Sequence, residues 1–244
     1  MSVQALATLI RDAQPCVVLT GAGISTESGV PDFRSSQWLW QKYDPFELAH
    51  IDAWRRDPGT VWDFYAMRFE MLTSVEPNAG HVALARLEQA GLVEAVVTQN
   101  IDTLHTRAGS RDVIDVHGTI ATSSCLACGH REPLARVLEL LPLPTCAVCG
   151  RPLKPDIVMF GELLPEQAID RAGALAREAG LLVVIGSSLE VWPGAGLPAE
   201  TLAAGGRLAI VNKGRTDYDA RAAVAIDGGA GETLSAVADF LLEG

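Results

Sequence analysis

An α/β fold, a Rossmann-like parallel sheet with helices on both faces, is what this sequence predicts, and three observations carry the prediction. Short apolar runs alternate with segments of helical spacing along nearly the whole chain, and apolar strands separated by helices imply a parallel sheet covered on both sides. The first run, Cys16 to Leu19, leads into Gly21-Ala22-Gly23-Ile24-Ser25, a turn suited to bringing main-chain N–H groups up to an anion. Polar clusters stand at the C-terminal ends of the later strands, the side of such a sheet on which ligands bind.

The elements follow in order. Val3, Leu6, Leu9 and Ile10 fall at helical spacing, interrupted by Gln4, Arg11 and Asp12, so the N-terminus reads as an amphipathic helix and neither as a membrane span nor as an export signal. After the first strand, Gly21 and Gly23 are expected to use positive backbone angles. Thr26 occupies the third glycine position of the usual dinucleotide fingerprint, which removes the support for an ordinary dehydrogenase. An irregular span with Trp38, Trp40, Tyr43, Pro45 and Phe46 runs to about Ala53, and its order should depend on what it covers. Helices are predicted over 58–73 and 77–90. A strand over 95–98 delivers Gln99-Asn100-Ile101-Asp102, and one over 113–116 delivers His117-Gly118. Helix 165–179, strand 181–185 with Gly186-Ser187-Ser188 behind it, helix 195–204, strand 207–211 with Asn212, and a last helix from Glu232 complete the pattern. One polar turn after a strand is ordinary; several at the same edge mark a crevice.

The 244 residues, 48% of them hydrophobic, suffice for one large domain with a small satellite. Thirty acidic against nineteen basic residues give a net charge of -11, which excludes a broad positive surface for nucleic acid. Basic protein tails remain compatible partners, beside the plainer reading that the charge serves solubility. We read an intracellular, cytoplasmic protein that binds neither membrane nor nucleic acid.

Cys16 lies in the first apolar run as a small buried thiol. The other four cysteines form Cys125-x2-Cys128, seventeen residues, then Cys146-x2-Cys149, each pair followed by a glycine, Gly129 and Gly150. Two such knuckles can surround one tetrahedral zinc with four thiolates. Disulfides suit exported chains better, and a redox pair would not need a second copy. With its coordination shell full, the zinc would be structural. The organisation expected is therefore a Rossmann-like domain of residues 1–118 and 155–244, with a helical insertion at about 45–75, and a zinc-binding subdomain at 119–154.

Taken together, Gly21-Ala22-Gly23-Ile24-Ser25 through Pro31-Asp32-Phe33-Arg34, Thr98-Gln99-Asn100-Ile101-Asp102, His117-Gly118, the two cysteine pairs and Gly186-Ser187-Ser188 resemble the sirtuins, the NAD-dependent protein lysine deacylases. The motifs run from about residue 20 to 230 in that family's order. The resemblance implies that NAD and an acyl-lysine peptide meet between the two domains. The acyl oxygen would displace nicotinamide to give an alkylamidate, and His117 would act as general base on the ribose hydroxyls before the acyl group migrates to ADP-ribose. Positioning must supply much of the rate, because that oxygen is a weak nucleophile.

The resemblance also assigns catalytic roles to Asn100 and Asp102 beside His117. It gives Gly21, Ala22, Gly23, Ile24, Thr26, Asp32, Phe33, Arg34, Gln99, Ile101, Gly186, Ser187 and Ser188 to the cofactor, with Phe33 and Arg34 in a cover that excludes water. Asn212 and Ala230 fall toward the adenosine end. Many relatives carry an acidic residue shortly after this asparagine, whereas Lys213 and Gly214 follow it here. Val158, Met159, Phe160 and Gly161 resemble a strand that pairs with the substrate backbone. His50, His81, His105 and His130 receive no role beyond structure.

In the helix from Pro58, Asp63 and Glu70 share a stripe at roughly 100° per residue, and Tyr65 and Arg68 turn away from it. A guanidinium on a buried face needs an anion, either an internal carboxylate or a ligand. Tyr65-Ala66-Met67-Arg68 resembles the pair found in sirtuins that remove malonyl, succinyl and glutaryl groups, where Arg68 would meet the distal carboxylate and Tyr65 donate its hydroxyl. Two other classes fit some of these motifs: mono-ADP-ribosyl transfer, and a non-catalytic NAD or zinc module, including iron in place of zinc.

Overall fold

The computed structural model describes residues 2–31 and 48–243. Asp32, Phe33, Arg34, Trp38, Trp40, Tyr43, Pro45 and Phe46 lie outside the described residues.

Six strands form one parallel sheet in the order β3-β2-β1-β7-β8-β9: β1 (Cys16–Thr20), β2 (Ala95–Thr98), β3 (Val113–Asp115), β7 (Leu181–Ile185), β8 (Arg207–Asn212) and β9 (Val224–Asp227). Alternation sends neighbouring residues to opposite faces. Cys16, Val18, Val96, Val183 and Ile185 enter one core with α1 (Val3–Asp12), α4 (Ala79–Gln89) and α9 (Ala230–Leu242). Val17, Leu19, Val97, Leu182 and Val184 enter the other, with α7 (Glu166–Glu178) and α8 (Leu197–Ala203). β1 and β7 are buried along their whole length, as a strand covered on both faces must be. The Cys16 thiol is inert here, since burial pushes its pKa up to about 12.

A third core joins α2 (Ile51–Arg56) and α3 (Pro58–Ser74) to the smaller sheet, in which β4 (Gly118–Ser124) pairs antiparallel with β5 (Arg131–Pro133) and β6 (Lys154–Ile157). Proline at the first position of α3 suits a helix start, and Asp57 caps it by accepting from Gly59 N and Thr60 N at 3.1 and 3.2 Å. Trp62 and Phe69 pack edge to face at 5.7 Å, and the Trp62 indole donates to Leu153 O at 2.7 Å, tying α3 to the cysteine module. Val61, Trp62, Phe64, Tyr65, Phe69 and Leu72 are buried and Asp63 and Glu70 exposed, so the wheel drawn from the sequence holds for these residues.

Several boundaries differ from expectation. α2, α5 (Leu104–Ala108) and β9 were not foreseen; at four to six residues each is too short for a repeating pattern to stand out. The final helix begins at Ala230 and not at Glu232, because Gly229 and Gly231 hide its start. No described helix is long and apolar enough to cross a membrane.

Candidate active site

The strand order reverses between β1 and β7, so the loops that leave these two strands flank the crevice at which open parallel sheets bind ligands. Gly21 N donates to Ile185 O at 3.0 Å and Gly23 N to Gly186 O at 2.8 Å. The glycines serve this contact. A Cβ on Gly21 would stand 2.8 Å from Gly186 O, and one on Gly23 2.7 Å from Gly186 Cα. The expectation that Gly21 and Gly23 use positive angles is therefore corrected: Gly21 is extended at φ -125°, neither residue is among the described positive-φ glycines, and Gly186 at φ +59° takes that role. Thr26 stands where a third glycine was sought, and its hydroxyl donates to Gly23 O at 2.9 Å, bracing the turn.

Behind the turn lies a buried polar network. Ser25 Oγ donates to Asp102 Oδ2 at 2.7 Å and accepts from Asn100 Nδ2 at 3.1 Å. Asn100 Nδ2 also reaches Gly21 O at 3.1 Å, and Asp102 Oδ1 accepts Leu104 N at 3.0 Å. His81 Nδ1 accepts the Asn78 N–H at 3.3 Å, which leaves the proton of the neutral ring on Nε2, 3.5 Å from Ser25 Oγ. His105 Nε2 lies 2.9 Å from Thr20 Oγ1, itself 2.8 Å from Thr98 Oγ1, and the two imidazoles meet at 4.9 Å. Burial, opposed by Asp102 and Glu27, brings the His81 pKa down to about 4, and burial with His81 beside it brings His105 to about 3. Nearby Asp115 is pushed up to about 6, by burial first and then by Asp102. Ser25, His81, His105 and Asn78 were not singled out from the sequence as site residues. The only signal was Asn78 and His81 near the start of a predicted helix and a lone His105 beyond a strand, which cannot be told from ordinary capping without the fold.

His117 follows β3, and its Nδ1 lies 2.9 Å from Gln99 O. A carbonyl oxygen only accepts, so Nδ1 carries the hydrogen and Nε2 keeps its lone pair. Burial lowers the His117 pKa against the raising effect of the Gln99 bond, which favours the neutral ring at pH 7. Gln99 Oε1 accepts from Ser187 Oγ at 3.0 Å, linking the β2 and β7 loops. Gly21, Gly23, Asn100, Asp102, Gln99, Gly186 and Ser187 are thus brought together. Ser188 faces outward to Glu190 at 3.3 Å. Farther along the edge, Asn212 Nδ2 is occupied by Lys213 O and Gly214 O at 3.3 and 3.1 Å, while buried Ala230 opens α9.

Tyr65 is buried in a cluster with Ile157, Met159 and, at its margin, Ile101 and Val30. Burial pushes its pKa up to about 12, so its hydroxyl is a neutral donor. Half-buried Arg68 sets its guanidinium over the Phe64 ring at 5.8 Å. The reading of 158–161 as an open strand edge is narrowed: Val158 N donates to His117 O, Met159 N to Glu162 Oε2 and Phe160 N to Ala49 O, at 2.8, 2.8 and 2.7 Å. Since Met159 O accepts from Glu162 N and Phe160 O from Ile51 N, at 3.0 and 2.9 Å, an added strand is left, among the described residues, the Gly161 N–H and the Val158 and Gly161 carbonyl oxygens.

The four thiols Cys125, Cys128, Cys146 and Cys149 have sulfur atoms all within 4.8 Å of one another. The knuckles repeat: Gly129 N donates to Cys125 O and Gly150 N to Cys146 O, both at 2.9 Å, with φ of +75° and +71° at the glycines. This donor set and spacing fit one tetrahedral zinc. The close approach of Gly21 and Gly23 to Gly186, which any Cβ would prevent, sets the turn after β1 at the sheet's switch point, where a dinucleotide phosphate group fits.

Residues 21–193 match the sequence pattern described as the Sir2 family. The chain is 44% identical over 234 residues to an NAD-dependent protein deacylase of Thermococcus kodakarensis, covering 93% of this chain and 91% of that one. It is 43% identical over 235 residues to an NAD-dependent protein deacetylase of Caldivirga maquilingensis, covering 95% and 90%. Among solved structures it superimposes on a Sir2 homologue in complex with NAD at a TM-score of 0.92 and 38% identity, covering 98% and 94% of the chains. A Sir2 protein bound to a propionylated peptide gives 0.89 and 37%, covering 98% of each.

Proposed function

The chain belongs to the Sir2 family, and from that premise we propose how an NAD-dependent protein lysine deacylase is built from these residues. NAD supplies an activated ribose that loses nicotinamide and receives the acyl group. The observation that carries the reading is the convergence of the glycine cradle, Asn100, Asp102 and His117 at the sheet's switch point.

Ser25 has its proton committed to Asp102 and its oxygen to Asn100, so the three side chains hold one another in a single arrangement. That is the preorganisation a positioning-dependent reaction needs. Asn100 and Asp102 hold the ribose and the carboxamide of the leaving group, and the Gly21, Gly23, Gly186 and Ser187 backbone holds phosphate. His117 removes a proton at Nε2, its Nδ1 being fixed on Gln99. Ile24, Thr26 and Ile101 shape the floor of the site, while Asp32, Phe33 and Arg34, which the resemblance gives to the cofactor, lie outside the described residues.

The finer proposal concerns the acyl group. Tyr65 belongs to the same apolar cluster as Met159, one residue before Phe160, and so lines the acyl side of the crevice. Arg68 three positions on supplies the planar cation for a succinyl or malonyl carboxylate, next to acetyl and propionyl groups that need none. An NAD-dependent turnover panel on one peptide carrying acetyl, propionyl, malonyl or succinyl lysine, with products identified by mass, tests both levels. Arg68→Met should cut desuccinylation at least tenfold more than deacetylation. Equal losses would remove the anion pocket from the account. Mass gained by the peptide as ADP-ribose, without acyl loss, would replace deacylation by sugar transfer.

A further inference from the structure

We propose that Lys154 and Glu162 form a positioning pair that holds segment 158–162, which faces the acyl-lysine, and the His117 backbone in register, so that peptide recognition depends on a largely buried ion pair remote from the cofactor. The inference rests on the deacylase reading. The Lys154 ammonium, on a side chain only 7% exposed, lies 2.9 Å from Glu162 Oε2. It also donates to Ile157 O at 2.8 Å and Pro155 O at 3.1 Å. Three donors meet three acceptors, so the buried charge is fully satisfied.

The same Glu162 oxygen accepts the Met159 N–H at 2.8 Å, and Glu162 N donates to Met159 O at 3.0 Å. The turn 159–162 is therefore closed by its own backbone and by the cation. Gly161 at its apex has φ +82°, and its position leaves the His50 ring 2.8 Å from where a Cβ would be. On one side of the pair Val158 N holds His117 O at 2.8 Å; on the other, Phe160 N holds Ala49 O at 2.7 Å. One ion pair thus sets both the segment facing the acyl-lysine and the carbonyl of the proposed base. Buried ion pairs add little net stability over apolar residues of equal volume, so conformational placement is the better account of this one.

The test measures binding of an acetyl-lysine peptide in the presence of ADP-ribose, with ADP-ribose affinity and steady-state kinetics alongside, in the zinc-loaded full chain. Lys154→Met should weaken peptide binding tenfold or more and Glu162→Gln threefold or more. Lys154→Arg should return it to within threefold of wild type, with ADP-ribose affinity within twofold throughout. Unchanged peptide binding in folded Lys154→Met or Glu162→Gln overturns the proposal. So do equal losses of peptide and ADP-ribose affinity, the signature of a general structural role. If Lys154→Met does not fold, Glu162→Gln decides. Wild-type protein that binds the peptide but does not deacylate it overturns the deacylase reading and leaves the positioning test standing.

Discussion

Mild acid should destabilise this protein through the two imidazoles behind the cofactor turn. Folding holds His81 and His105 neutral, with pKa values near 4 and 3, whereas the unfolded chain protonates them near 6.5. The unfolded state then binds more protons below pH 6.5, so the stabilisation is complete above that value and is lost as pH falls. Each ring costs about 1.4 kcal/mol per pH unit, or about 2 kcal/mol by pH 5, and the pair about 4. Asp115 opposes this. Its folded pKa near 6 lies above the ordinary 3.8, so protonation relieves its burial as pH falls, returning about 1 kcal/mol after allowance for its partial exposure. The expected net loss between pH 7 and 5 is about 3 kcal/mol, a large share of an ordinary domain's stability. Urea unfolding of zinc-loaded protein across that range measures it, and His105→Asn should remove about 2 kcal/mol of the decline. A decline of the same size in the His81 and His105 variants would refute the reasoning.

Three further outcomes follow from the geometry. His117→Ala should lose at least a hundredfold in turnover with NAD affinity within a few fold, and the acid limb of wild-type kcat/KM should fall below the ordinary imidazole value of 6.5, since burial lowers the His117 pKa. Gly186→Ala adds a Cβ 2.3 Å from Ile24 N at φ +59°, so about 3 kcal/mol of stability or more than a tenfold loss of NAD affinity is expected, read by calorimetry. Stripping the metal with a chelator should unfold β4-β5-β6, seen as lost amide protection at 118–157, and lower peptide turnover tenfold or more, because Val158 behind β6 holds His117.

The parallel sheet and the strand-end clusters were legible because periodicity and turn composition are local properties, and Gln99 to Asp102, His117 and Gly186 carry both signals at once. The cysteine spacing was legible for the same reason. What was not legible depends on contacts across the chain. Gly21 and Gly23 look in sequence like positions for positive backbone angles but are clearance for Gly186, more than 160 residues away. His81 looks like a helix residue and His105 falls outside every predicted element, and only the fold turns them toward Ser25 and Thr20. Phe160 looks like an open strand edge until Ala49 and Ile51 occupy it.

Asn78 starts one element and braces another: its Oδ1 accepts Gly80 N at 2.9 Å, while its Nδ2 donates to Ile24 O at 2.8 Å and Ser28 Oγ at 3.0 Å. Two demands therefore fall on a single carboxamide. Aspartate would satisfy the helix and repel the carbonyl it faces, and serine would reach only one client. Attempts to harden this protein by optimising that helix start will run against the turn it serves, and a sturdier helix can be had there only by loosening the nucleotide's seat.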